Sequence, residues 1–249
     1  MKISGNTVLI TGGNSGIGRA LAEALQAEGN EIIVTGRKRA TLDDTLAANP
    51  RMSGYRLDVS DAGAIRLFAS QVVKDHPALN VVINNAGIMH VEQLDGETVD
   101  LAGAEATIAT NLLGPIRLTA ALLPHLRAQP HATIVNVSSG LAFVPLAMTP
   151  TYGATKSAIH SYTSALRHQL RNTAVQVIEL APPLVATDLT PGQSADPRAM
   201  PLDEFVKETI SLLKAKPDAH EILVERVHPL RTAESSGQYG AIFKMLNPA

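Results

Sequence analysis

Tyr152 and Lys156 stand four residues apart in "TYGATKSAIH" (151–160), in a chain with only four tyrosines. On a helix that spacing puts a phenol and an ammonium on one face, one turn apart. With a pKa of roughly 10, a phenol holds its proton too tightly to act as an efficient acid and base near neutrality. A neighbouring ammonium favours the phenolate and lowers that value, so the pair suits proton transfer to and from an alkoxide. Ordinary packing beside a snorkelling lysine explains the same spacing. Gly153 and Ala154 are small enough to leave room beside the phenol for a flat ring.

A second stretch, "TGGNSGIGRA" (11–20), joins an apolar run to a helical pattern. Gly12, Gly16 and Gly18 form a G-x-x-x-G-x-G turn. Glycines let backbone approach a pyrophosphate, and a helix N-terminus adds free N–H groups and a positive dipole end. The strand–glycine–helix context favours a dinucleotide loop over a plain turn. In NAD-preferring sites an acidic residue about 20 residues on holds the ribose 2′-hydroxyl. Here Gly36, Arg37, Lys38 and Arg39 fill that region, with no acid between Glu31 and Asp43. Arginine binds a 2′-phosphate that a carboxylate would repel, so NADP(H) is the expected cofactor, with Arg37 as its main contact and NAD(H) the alternative. A solvated basic turn is the plainer reading.

The elements that must position these residues are β-rich runs separated by helical patterns. Strands are expected at 7–11, 31–36, 55–59, 81–84, 133–138, 175–180 and 221–224. Continuous apolar runs of this kind fit strands covered on both faces. The alternation predicts an α/β, Rossmann-type doubly wound fold: a seven-stranded, mainly parallel sheet with helices on both faces, in one domain over 1–249. The polar, proline-rich segment 184–205 reads as a substrate-binding loop or lid, or else a tolerated surface insertion.

Bulk properties exclude other classes. The chain has 249 residues, 45% hydrophobic and 18% charged, with a net charge of −2. That balance carries no footprint for nucleic acid and no basic block for a membrane surface. Zero cysteines exclude disulfides, thiolate metal sites and cysteine nucleophiles. Neither a signal peptide nor an uninterrupted apolar run of roughly 18 residues is evident, so the expectation is a cytoplasmic protein without nucleic-acid or membrane partners. The eight histidines contain no H-E-x-x-H pair, so no metal is expected; His160 and His168 read as packing or interface residues. Asp61 reads as a helix cap, and a cap is also the simpler role for Asp188.

Together these motifs resemble the classical short-chain dehydrogenase/reductase family, over nearly the whole chain and in order. "TGGNSGIG" resembles its cofactor loop, which implies contacts from Gly12, Asn14, Ser15, Gly16, Ile17 and Gly18. "LDV" (57–59) is similar to the adenine-side motif, implying Asp58 and Val59, and "NNAG" (84–87) implies Asn85, Ala86 and Gly87. "IATNLLG" carries the family's asparagine at Asn111, "VNVSSG" its serine, and Tyr152 and Lys156 its Y-x-x-x-K. The family's serine lies thirteen residues before the tyrosine, at Ser139, which leaves Ser138 a structural neighbour. Further segments, such as "SSGLAFVPL" and "VIELAPPLVATDL", resemble the branch named after DltE.

The resemblance implies reduction of a ketone or aldehyde, or oxidation of the alcohol. Tyr152 would be the general acid and base, Lys156 would tune it and hold the nicotinamide ribose, Ser139 would bond the substrate oxygen, and Asn111 would hold a proton-relaying water. Pro182, Val185 and Thr187 are implied nicotinamide contacts, although Pro183 stands where the family has glycine and stiffens the backbone. His90, Leu141, Phe143, Met148 and Leu184 suggest a largely apolar substrate pocket. Relatives associate through the helices around 101–127 and 152–171, implying a homodimer or homotetramer. The rival reading is a non-catalytic NADP(H)-binding redox sensor or regulatory module.

Overall fold

Consecutive apolar residues in the strands feed two different cores. In β1 (Thr7–Thr11), Val8 and Ile10 enter one core and Leu9 enters the other. Side chains alternate across a strand, so a sheet covered on both faces needs both parities apolar. The computed structural model describes residues 1–96 and 98–248.

From β1 the chain runs through α1 (Gly16–Ala27), β2 (Glu31–Gly36), α2 (Arg39–Ala48), β3 (Ser53–Arg56), α3 (Ala62–Asp75) and β4 (Leu79–Asn84). Next come α4 (Ala102–Ile108), a π-helical turn at Ala109–Leu113, α5 (Gly114–Ala128), β5 (Ala132–Val137) and α6 (Pro150–Leu170). The last part holds β6 (Val175–Leu180), α7 (Leu202–Ala215), β7 (Glu221–Ile222), α8 (His228–Arg231) and α9 (Tyr239–Leu246).

The seven strands form one sheet in the order β3-β2-β1-β4-β5-β6-β7, and every pairing is parallel. Leu21 and Leu25 of α1 and Phe205 and Ile210 of α7 cover one face. Phe68 and Val72 of α3, Leu118 and Leu122 of α5 and Leu166 of α6 cover the other. This is the doubly wound Rossmann architecture. Strand order reverses between β1 and β4, which opens a crevice beyond their C-terminal ends.

Several expected boundaries move, and two have a plain physical cause. The third strand lies at Ser53–Arg56 instead of 55–59, because Asp58 turns the chain away: its Oδ1 accepts from the Ser60 N–H at 2.9 Å and the Ser60 hydroxyl at 2.7 Å. Asp61 then caps α3, accepting from the Gly63 and Ala64 N–H groups. The loop expected over 184–205 closes at Met200, which pairs with Val185. The Met200 N–H donates to the Leu184 carbonyl, and residues 202–205 form the first turn of α7, with Phe205 fully buried.

The rod Ala102–Ala128 is apolar and long enough, by composition, to cross a bilayer. Its π turn interrupts it, and Leu118, Leu122 and Leu126 are buried in the second core.

Candidate active site

The glycine loop sits at the crevice because nothing larger than glycine fits there. A Cβ on Gly18 would lie 2.3 Å from the Gly12 carbonyl oxygen, and Gly12 has a φ of +65°. The Thr11 hydroxyl accepts from the backbone N–H groups of Asn85 and Ala86, at 3.0 and 3.1 Å, joining the ends of β1 and β4. The Asn85 amide donates to the Thr11 carbonyl at 3.0 Å. Ser15 precedes α1 without capping it through its side chain, so the first-turn N–H groups of Gly16, Ile17 and Gly18 have no partner from Ser15. Thr187, at the base of the 184–200 loop, faces the open side of Gly16 at 3.6 Å. A cradle of bare backbone at a helix N-terminus fits a pyrophosphate.

Asn14 turns toward α2, where its amide donates to the Thr41 hydroxyl at 2.6 Å. A Cβ on Gly36 would stand 2.5 Å from the Asn14 side chain, which would have to move aside for any larger residue. Arg37 is exposed and forms no ion pair among the described residues, whereas Arg39 is taken by Asp43 at 2.9 Å. Arg37 and Arg56 together help hold the Asp58 carboxyl below its ordinary range. Burial opposes this as the largest single influence, and the Ser60 hydrogen bonds outweigh it. Val59 is buried and its carbonyl lies close to Gly114, where a Cβ would come within 2.7 Å.

On the other side of the crevice, α6 carries Tyr152 and Lys156 on one face, both buried. Pro150 begins the helix, and its cap comes from far away in sequence. Glu92 accepts from the Thr151 N–H at 2.9 Å and from the Thr151 hydroxyl at 2.7 Å. Ser139 interacts with the Tyr152 phenol, and its Oγ also accepts from the Leu141 N–H at 3.1 Å. Ser138 points elsewhere, donating to Glu179 Oε1 at 2.5 Å. The two serines are thus separated by strand alternation. The Lys156 ammonium lies 5.5 Å from the Tyr152 ring centroid and donates to the Val137 carbonyl at 2.8 Å.

Asn111 sits in the π turn, a device that reorients side chains and recurs at functional sites. Its Oδ1 accepts from the Ile88 N–H at 2.9 Å and its amide donates to the Ile88 carbonyl at 2.8 Å. Asn111 and Lys156 converge on Gly87, where a Cβ would stand 3.4 Å from Asn111 Oδ1 and 3.7 Å from Lys156 Nζ.

Three expectations change. Burial pushes the Tyr152 phenol up to about 12, outweighing the hydrogen bond from Ser139, where a lowered value was expected. Lys156 is itself brought down to about 8 by burial, with the Glu179 charge opposing. Desolvation penalises both charged forms at once, and this outweighs the attraction between them. Gly153 faces the 141–145 loop and not open space for a flat ring: a Cβ there would make ordinary contacts with Pro145 at 3.4 Å and the Leu141 carbonyl at 3.5 Å. Phe143 packs between His160, 5.0 Å between centroids, and Arg231, 4.9 Å from its centroid. That position is two turns along α6 from Tyr152, away from the expected pocket.

The other apolar candidates flank the crevice. Met148 and Leu184 are exposed and Leu141 is half-buried, while His90 is exposed with its ring beside Gly103 of α4. The Met148 carbonyl accepts from the Glu92 N–H at 2.9 Å, tying the two rim loops together. Pro182 is buried and its carbonyl accepts from the Gly140 N–H at 2.8 Å.

Sequence reading overlooked Thr11, Glu92 and Glu179. Only the last left a signal: a lone glutamate inside the apolar strand "VIEL" must be buried and therefore paired. His160, Glu179 and Glu221 bring possible ligand atoms within 4.8 Å of one another. Each is already engaged, however: His160 with Glu179, Glu179 also with Ser138, and Glu221 with Arg231 through two hydrogen bonds.

Comparison with known proteins shows the family. The short chain dehydrogenase family model matches residues 6–198. The chain is 41% identical over 251 residues to the uncharacterized oxidoreductase DltE of Bacillus subtilis (strain 168), covering 99% of this chain and 98% of that protein. It is 34% identical over 187 residues to sulfoacetaldehyde reductase 2 of Chromohalobacter salexigens, 74% of each chain. A short chain dehydrogenase from Burkholderia cenocepacia J2315, solved in complex with NADP, superposes with a TM-score of 0.82 at 25% identity, over 99% of both chains. A Burkholderia phymatum structure in complex with NAD shares the fold, with a TM-score of 0.83 at 23% identity over 100% of this chain and 98% of that one.

Proposed function

The chain belongs to the short-chain dehydrogenase family, and we propose that it interconverts a carbonyl and an alcohol by hydride transfer, with NADP(H) preferred over NAD(H). The observation that supports this reading is a contiguous set: Asn111 and Lys156 converge on Gly87, Lys156 lies against the Tyr152 ring, and Tyr152 lies beside Ser139. A bound NADPH supplies the hydride, and this chain's residues supply the proton and the positioning.

The first-turn N–H groups of α1 would hold the pyrophosphate, with Thr187 lying beside Gly16. In reduction the Ser139 hydroxyl donates to the substrate oxygen as negative charge develops there. A Tyr152 phenol near 12 is protonated at neutral pH and so starts as a competent acid. Lys156, near 8, remains mostly charged at neutrality and stabilises the phenolate left after proton transfer. In the oxidative direction the same groups act in reverse. Exposed Arg37, without an ion-pair partner among the described residues, and the lack of a side chain at Gly36 favour a 2′-phosphate. Apolar Met148 and Leu184 at the rim favour a hydrophobic substrate.

The test is NADPH oxidation against a panel of ketones, aldehydes and diketones, repeated with NADH. Turnover of apolar carbonyls with NADPH favoured is expected. Thermal stabilisation by NADPH with no carbonyl turned over would replace this reading with a redox sensor.

A further inference from the structure

Beneath α6 the central strands carry three polar side chains side by side in a largely apolar sheet. Asn84 of β4 lies in register with Asn136 of β5, and Asn136 with Glu179 of β6. All three are buried, and the Asn84 amide donates to Asn136 Oδ1 at 2.8 Å. Asn136 in turn donates to the Thr163 hydroxyl of α6 at 2.9 Å. Burying a carboxyl in such a layer is costly unless each oxygen is partnered. Glu179, 1% exposed, meets that requirement: Oε1 accepts from Ser138 and Oε2 lies 2.7 Å from His160 Nδ1.

We propose that Glu179 is a positioning residue for the reaction: pinned by Ser138 and His160, it fixes the end of β5 against α6 and gives Lys156 its buried counter-charge. Ser138 lies between the Val137 carbonyl, which holds the Lys156 ammonium, and Ser139, which meets the phenol. One carboxylate therefore sets the backbone on which both groups depend. It spans two elements because His160 lies one helical turn beyond Lys156. The proposal rests on the carbonyl–alcohol reading above and adds a residue that contacts neither substrate nor cofactor.

The surrounding charges are arranged so that Glu179 acts on Lys156. On α6 the neighbours are Lys156, His160 and Arg167, whose guanidinium is anchored to the Val177 and His220 carbonyls. Across β7, Glu221 is held by Arg231 of α8 at 2.9 Å. Arg231 also feels Glu179 but spends its hydrogen bonds on Glu221. Glu179 is the one charge identified as opposing the downward effect of burial on Lys156. Among the described residues the ammonium donates to the Val137 carbonyl and not to Glu179. The role proposed for Glu179 is therefore electrostatic and positional.

Glu179→Gln keeps the size and an acceptor but removes the charge. Its predicted signature is a Lys156 titration midpoint, followed by 13C NMR of the labelled lysine side chain, that moves to lower pH than in the wild type. The alkaline limb of the kcat profile should shift the same way, with kcat at pH 8 falling roughly tenfold and KM within about twofold. Glu179→Asp should recover part of both. His160→Gln, which keeps a side-chain amide for Glu179, should move the midpoint less, and it provides a second reading if Glu179→Gln does not fold. An unchanged Lys156 midpoint in both folded variants would overturn the proposal. The NMR arm needs no turnover, so a wild type inactive on every carbonyl would defeat the reaction assignment while leaving the Glu179–Lys156 coupling separately measured.

Discussion

Tyr55 and Tyr152 are both pushed up to about 12, yet their surroundings differ in kind. Tyr55 sits on β3 at the sheet edge, against Phe68, with its hydroxyl donating to Asp75 at 2.8 Å and lying 3.1 Å from His76. Burial and the Asp75 carboxylate both raise it, so ionisation would place an anion beside an anion. His76 extends the set to Glu31 at 2.8 Å, tying α3 to β2. Around Tyr152 burial is the only raising influence; Ser139 opposes it and a cation lies 5.5 Å away. Similar values thus describe a rivet in one place and, under the proposed function, a poised acid in the other. Burial is the largest influence on both phenols; at Tyr152 a charge arriving in the crevice can offset it, whereas at Tyr55 the fixed Asp75 carboxylate adds to it.

The sharpest way to break this contrast is to remove each hydroxyl. Tyr152→Phe should lose at least roughly a hundredfold in turnover while binding NADPH within about twofold, as measured by fluorescence titration. Equal losses from Tyr55→Phe would erase the distinction. A smaller effect is expected at the cofactor's far end. Arg37→Asp should lower the ratio of NADPH to NADH affinity by roughly tenfold or more, and an unchanged ratio would remove Arg37 from the site.

A subtler test concerns Lys156. Its folded pKa, about 8, is below the ordinary 10.5, so between those values the unfolded chain binds the extra proton. Wild-type stability should therefore gain from this group as pH rises from 8 toward 10.5, a slope that Lys156→Met should remove. Melts across that window against the variant would show it. Tyr152 contributes little there, because its raised pKa costs stability only as pH climbs from 10 toward 12. The smallest effect is expected from Tyr55→Phe itself: activity within about twofold and a Tm lowered by at most a few degrees, since the lost hydrogen bond is partly solvated.

Much of the site was legible because its rules are local. Glycine spacing at 12, 16 and 18 announces a tight turn wherever it occurs between a strand and a helix, and Tyr152 and Lys156 share a face on any helix. Other features were hidden because they join distant segments. Glu92 caps a helix 59 residues away, and the π turn that aims Asn111 at Ile88 has no signature in "IATNLLG". Phe143 and Gly153 looked like parts of the pocket and its floor, but partners at Arg231 and Pro145 decide where they face.

By itself the amino-acid sequence determined the parallel doubly wound sheet and the family and nominated the candidate reactive side chains, since periodicity, motif order and short-range spacing carry that information. Only the tertiary structure decided the protonation balance of Tyr152 and Lys156, the division of labour between Ser138 and Ser139, and the burial of Glu179 behind them. Those depend on how much water each group loses and which charges face it, and burial and charge are set by packing between elements far apart in the chain.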